Sequence, residues 1–200
     1  MTDEDWRTQE PLKEKIGCSS TRCDKDLHCF RRQFKKKRRL PGQTYRQGTC
    51  YECGADLIDW DRLDKKDLKD VGYTFASLQR EMFRHRYWHI AIDDKAIKKA
   101  RKSGLLKLRA RIHNRLNSAL RPPHKEIFRD GNQTPLSGDI IYYAQHSTST
   151  CCRNCVEEWY GIDRNRNLTD DEVNYFAELI MRYIQYRLPD LTENGIKIMG

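Results

Sequence analysis

The chain has 200 residues, 38% of them hydrophobic and 34% charged, with a formal net charge of +9 and eight cysteines. Its length suits one large or two small domains around a modest core. The N-terminal stretch MTDEDWRTQE is acidic and lacks an apolar run, which argues against a secretory signal, and no stretch approaches the ~18 apolar residues of a membrane span.

These features predict a cytoplasmic protein that engages no membrane. Its thiols would stay reduced, so clustered cysteines read as metal ligands rather than disulfides. Residues 1–15 are polar and predicted to be loose. Residues 16–73 form a zinc-ribbon-like segment. GCSSTRCDKDLHCF carries Cys18, Cys23, His28 and Cys29, and GTCYECGADL carries Cys50 and Cys53. A tight turn between two cysteines lets both sulfurs reach one ion at ~2.3 Å. The glycine after Cys53 permits a positive-φ turn beneath the metal. The expected ligands are Cys18, Cys23, Cys50 and Cys53, with His28 or Cys29 as the alternative to Cys18. A helix is expected over 24–38, where Cys29 beside Phe30 reads as a small buried residue. A thioredoxin-like role for Cys50-x2-Cys53 would need a βαβ setting, which this segment does not offer.

Two basic blocks follow. RRQFKKKRR supplies Arg31, Arg32, Lys35, Lys36, Lys37, Arg38 and Arg39. Between Lys95 and Arg121 lie ten basic residues and no acid, among them Arg101, Lys102, Lys107, Arg109, Arg111 and Arg115. Separate basic blocks predict a polyanionic partner, DNA or RNA. Tyr87, Trp88 and Trp60 could stack on bases, although their helical spacing and large apolar area make core packing the favoured reading. From Val156 onward nine acids face five bases, a possible docking face for a protein partner.

Residues 74–188 read as a helical domain. A helix is expected from Phe75 to Ile92, with Leu78, Met82, His85, His89 and Ile92 on one face. Asp93 or Asp94 can cap the next helix, and Gly104 can end it. LLKLRARIHNRLNSAL then places Leu105, Leu108, Ile112, Leu116 and Leu120 on one side, until Pro122 and Pro123 stop it. Residues 122–139 are loop-like, and IIYYAQH reads as a short strand. In the last helix Thr169 and Glu172 form a capping box and Val173, Phe176, Ile180, Ile184 and Leu188 line one face. Pro189 ends that helix, leaving residues 189–200 as a tail. The fold class is mainly α (α+β), a helical domain with two small zinc-binding knuckle regions and short strands.

The stretch AQHSTSTCCRNC suggests a second metal site. Its expected ligands are His146, Cys152 and Cys155, with His89 as the fourth because structural zinc takes four. Cys151 should point away from Cys152, since neighbours on an extended chain alternate, and stands as a substitute. Two zinc ions are expected in all. Glu81, His85 and His89, at i, i+4 and i+8, offer a different set that could hold a catalytic metal in a nuclease or hydrolase.

GNQTPLSGDIIYYAQHSTSTCCRNCVEEWYGI, followed by LTDDEVNYFAELIMRYI, resembles an uncharacterised bacterial domain family with the signature Q-T-P…AQH-x-T-x-T-CC-x-x-C…W. The resemblance covers about residues 80–188 and implies no activity. That signature has a histidine where this chain has Tyr160. CYECGADLIDWD is more distantly similar to His-metal-finger nucleases of the HNH type, but Trp60-Asp61 stands where they carry Asp-His. The expected function is a zinc-stabilised, basic, nucleic-acid-binding protein, a non-catalytic module or subunit of a larger assembly. A metal-dependent nuclease and a protein-interaction or regulatory subunit are the alternatives.

Overall fold

A computed structural model describes residues 21–30 and 48–196. The chain is mainly helical: α1 (Trp60–Asp64), α2 (Val71–Gln79), α3 (Met82–His89), α4 (Asp94–Ala119), α5 (Ile140–Ser147), α6 (Arg153–Tyr160) and α7 (Asp170–Arg187). Among the described residues, β-pairing is limited to three isolated bridges. None of the described helices is long and apolar enough to cross a membrane.

The last helix, α7, is the centre of the fold. Thr169 accepts from the Glu172 N–H and Glu172 reaches back to the Thr169 N–H, the reciprocal cap its sequence predicts. Val173, Phe176, Ile180 and Ile184 are buried as expected, but so are Tyr175, Leu179, Met181 and Tyr183. A helix apolar on more than one face must be surrounded, and α2, α4 and α5 pack against it. Trp88 lies in this core, edge-on to Phe75 at 5.0 Å and to Tyr183 at 4.9 Å. Trp60 packs on Trp159 and donates to the Gly48 carbonyl at 2.9 Å.

Gly104 interrupts α4 with φ 69° and ψ 170°. The helix ends there, as the sequence suggests, and starts again at once. The new start is capped by backbone from beyond α7: Leu105 N donates to Thr192 O at 3.0 Å and Leu106 N to Glu193 O at 3.1 Å. Asp93 caps the beginning of α4 through the Ala96 N–H, and its other oxygen accepts from Gly138 N and the Tyr143 hydroxyl. Arg153 is fully buried and donates to the carbonyls of Leu120, Asp163 and Arg166, tying the end of α4 to the connection between α6 and α7.

Three local expectations are corrected. IIYYAQH is helical, not a strand: Asp139 accepts from the Ile141 N–H, and Ile140, Ile141 and Ala144 are buried around the turn. Tertiary burial outweighs the β preference of its branched residues. The helix expected from Phe75 to Ile92 breaks at Arg80–Glu81, because Glu81 is extended and its carboxylate caps α3. The opened backbone pairs with His28, which donates to Arg80 O and accepts from Met82 N, each at 2.9 Å. The helix expected over 24–38 is reduced, in its described part, to one turn at Cys23–Lys25, closed by Asp26 at φ 56°. Residues 31–38 lie outside the described residues, as do the expected loose N-terminus and the end of the tail.

Candidate metal centres

Two groups of side chains, Cys23/His28/Cys50/Cys53 and Cys151/Cys152/Cys155, could hold a metal ion; within each, the ligand atoms lie within 4.8 Å of one another.

The first group joins two short turns. Arg22 and Leu27 exchange both backbone hydrogen bonds at 3.0 Å, so Cys23 and His28 sit at the two feet of one loop. In the other turn, Gly54 N donates to Cys50 O at 2.9 Å with Gly54 at φ +71°. Nothing lies within 4 Å of a Cβ built at Gly54, so glycine is needed there for its dihedral and not for space. Cys23 Sγ is 3.9 Å from Cys50 Sγ, and Cys53 Sγ is 3.6 Å from His28 Nδ1. His28 Nε2 lies 3.1 Å from Asp26 Oδ1, and the other oxygen of that carboxylate, Oδ2, pairs with Arg80 Nε at 3.1 Å. A carboxylate behind a histidine fixes its tautomer and raises its basicity as a ligand.

Burial opposes ionisation of Cys50, but His28 and the N–H groups of Cys53, Cys29 and Glu52 prevail and bring its thiol down to about 6. Burial, reinforced by Cys53 and Cys50, pushes Cys23 up to about 12. The structure thus brings Cys23, Cys50 and Cys53 together with His28. Cys18 lies outside the described residues. Cys29 is fully buried against Met82, and its carbonyl accepts from Tyr51 N at 2.8 Å.

The second group forms where α5 runs into α6. Gln145 Nε2 donates to Thr150 O at 2.9 Å, Thr148 and Thr150 share a hydrogen bond at 3.0 Å, and Ser149 adopts φ 57°. This tight polar turn is the reason Cys151 does not point away from Cys152. Thr134 Oγ1 then holds the Cys151 carbonyl at 2.8 Å, and Cys152 caps α6 by accepting from Cys155 N at 3.4 Å. Arg84, only 8% exposed, comes in from α3. Its Nη2 is 3.8 Å from Cys155 Sγ, its Nη1 donates to His146 O at 2.7 Å, and its Nε is 3.4 Å from Glu81. Hydrogen bonds from Cys151 and Cys152 hold the Cys155 thiol far below its ordinary value against the cost of burial, with Arg84 adding to the effect. Cys151 lowers Cys152, but Cys155 and burial outweigh it and push Cys152 up to about 11.

The expected histidines are not with these sulfurs. His146, carried on a helix instead of a strand, stacks on Tyr87 at 4.7 Å and places Nε2 3.2 Å from the carbonyls of Thr134 and Pro135. His89 lies against His85, ring centroids 4.3 Å apart and tilted by 42°. Glu81 turns back onto Phe83 N and Arg84 N at 3.2 Å. Because Glu81 precedes the first turn of α3, the expected stripe of Glu81, His85 and His89 on one helix does not exist, and none of the three joins a metal-holding group among the described residues.

In the second basic block the arginines are paired, and so is Lys99, with Asp139 at 2.6 Å. Arg109 pairs with Glu178, Arg111 with Asp139, and Arg101 with Asp190 at 2.8 Å. Arg115 donates to Gln145, Gln133 O and Thr134. Lys95, Lys98, Lys102 and Lys107 are exposed. The run from Arg31 to Arg39 lies outside the described residues.

Residues 72–185 match the family described as a domain of unknown function, DUF4186. The chain belongs to this family. No solved structure matches it. The DUF4186 match runs from α2 nearly to the end of α7, so it contains the second cysteine group and leaves the first outside. Two participants were weakly legible in sequence. Asp26 two residues before His28 marks a supported histidine, and the dense Ser/Thr run before Cys151 marks a turn tight enough to bring adjacent cysteines together.

Proposed function

We propose that this chain is a zinc-stabilised, non-catalytic module that binds nucleic acid. The observation that carries the metal half is the set of three sulfurs and one imidazole, all within 4.8 Å. Three thiolates and one histidine suit tetrahedral zinc, and four protein ligands close the coordination sphere as structural sites do. The unfolded chain has no such cage, so zinc binding contributes to folding. His28 carries that stabilisation into the helical domain through its backbone pairing with Arg80 and Met82.

The charge distribution supports the nucleic-acid half. The arginines at 101, 109, 111 and 115, together with Lys99, hold carboxylates and carbonyls within the fold, which leaves phosphate contact to the other exposed lysines. Lys95, Lys98 and Lys102 recur at helical spacing on α4, and Lys107 follows beyond its kink. With the run Arg31, Arg32, Lys35, Lys36, Lys37, Arg38 and Arg39 they would form a salt-sensitive, sequence-tolerant contact. Electrophoretic mobility over a salt series, with single- and double-stranded DNA and with RNA, tests this. The expected result is binding that weakens steeply with salt, and less steeply after Lys35, Lys36, Lys37, Arg38 and Arg39 are changed to Ala. No shift with any of these at low salt would refute the reading.

A further inference from the structure

The two cysteine groups differ in completeness. Among the described residues the first offers four ligand atoms and the second three. Two neighbouring groups among those same residues that could complete the second are engaged elsewhere. His146 has turned Nε2 to the Thr134 and Pro135 carbonyls, and Glu81 caps α3. Arg84, the polar side chain that does reach the sulfurs, is a cation and can only sit outside a coordination sphere. Cys151 and Cys152 are buried, whereas Cys155 is half-buried, so the group opens to solvent at Cys155.

Three protein ligands with an open fourth position is the arrangement of metal sites that take an exchangeable ligand, in contrast with closed four-ligand sites. Charge points the same way. Three thiolates around a divalent ion leave one net negative charge, and the Arg84 guanidinium, 3.8 Å from Cys155 and shared with Glu81 at 3.4 Å, lies against it. A cation beside the sulfurs lowers the cost of bringing a further anion to them. All three cysteines and Arg84 fall within the matched domain, and Cys18 falls outside it.

We infer that Cys151, Cys152 and Cys155 form a three-thiolate metal site whose fourth position accepts a small anionic donor from solution, held beside Arg84. A thiolate is the best match, since a sulfur-rich site favours soft partners. The inference rests on the proposed reading only in requiring that this group bind metal. It is independent of nucleic-acid binding and of the first group.

Cobalt(II) reports ligand exchange through its visible d–d bands. The full chain is loaded with Co(II) and titrated with 2-mercaptoethanol and, separately, with azide. The expected result is that part of the visible spectrum shifts with each ligand while the rest stays fixed. In Cys155→Ser the shifting component is lost, and in His28→Ala the fixed component is lost. Cys18→Ser leaves the shifting component intact. Bands in the unaltered protein that ignore both ligands overturn the inference, and this measurement depends on no variant folding. A shifting component that survives Cys155→Ser, or that disappears in Cys18→Ser, overturns it equally. Failure of the proposed function has a different signature: no mobility shift with nucleic acid, or no fixed cobalt component, while the ligand-sensitive bands persist.

Discussion

Replacing Gly104 with alanine should be one of the most damaging single changes in the helical domain. At φ 69° and ψ 170° the residue occupies a region that is close to glycine-only, and placing a side chain there costs ~1–3 kcal/mol. Space is a second obstacle. A Cβ on Gly104 would stand 2.1 Å from Gly195 N and 2.6 Å from Glu193 O. These are backbone atoms of the segment that caps the restarted helix, so relief requires that segment to move. Moving it endangers the bonds Leu105 N to Thr192 O and Leu106 N to Glu193 O, each worth ~0.5–1.5 kcal/mol. Together these make the cost of Gly104→Ala about 2–6 kcal/mol, a Tm decrease of roughly 4–24 °C for a chain of this size. Thermal and urea denaturation followed by far-ultraviolet circular dichroism measure it. Deleting residues 192–200 removes the obstructing backbone, so in that background Gly104→Ala should cost only the dihedral part. A full-chain penalty below ~1 kcal/mol would refute the account. An equal penalty in both backgrounds would show that the capping segment contributes nothing.

Other outcomes follow from the sites and caps. His28→Ala should remove one zinc equivalent by elemental analysis, Cys29→Ala and Cys18→Ser should remove none, and Asp26→Asn should weaken that ion ~10–100-fold in a chelator competition. Removing zinc with a chelator should lower Tm in the unaltered protein and have a smaller effect in His28→Ala. Thr169→Ala should cost ~0.5–2 kcal/mol, measured by urea unfolding, because it deletes one half of the cap on α7. Burial opposes ionisation of Glu172, but Arg166 and the Thr169 N–H outweigh it and hold its carboxyl below the usual range. Its contribution is therefore present above its unfolded value of ~4.3 and lost as pH falls through the lower folded one. Glu172→Gln should flatten the acid limb of a stability–pH profile, and an unchanged limb would count against the pairing.

Features encoded by neighbours in the chain could be read without the fold. Thr169 and Glu172 sit three apart, so their cap is local, and Gly104, Asp93 and Pro189 mark helix boundaries through their own backbone chemistry. Cys50, Cys53 and the glycine after them specify a turn within five residues. Tertiary contacts decided the rest. IIYYAQH has branched residues that favour a strand, yet it is helical because its apolar side chains have α7 and α3 to bury against. Glu81 looks like a residue within a helix, but the approach of the His28 backbone opens the chain at Arg80 and makes Glu81 a cap. Once that break exists, the periodicity that had aligned Glu81, His85 and His89 no longer applies.

The ligand sets show the same division. Sequence alone marked Cys152 and Cys155 as a pair and could not place Cys151, because an extended chain sends adjacent side chains apart. The Gln145–Thr150 hydrogen bond and the left-handed Ser149 fold that stretch into a turn, and the third sulfur joins the other two. The basic character of residues 95–121 is likewise a property of composition. Which of its cations are paired was decided by the carboxylates that folding brings beside the arginines and Lys99, namely Glu178, Asp139 and Asp190, each distant in sequence and within reach only in the folded chain.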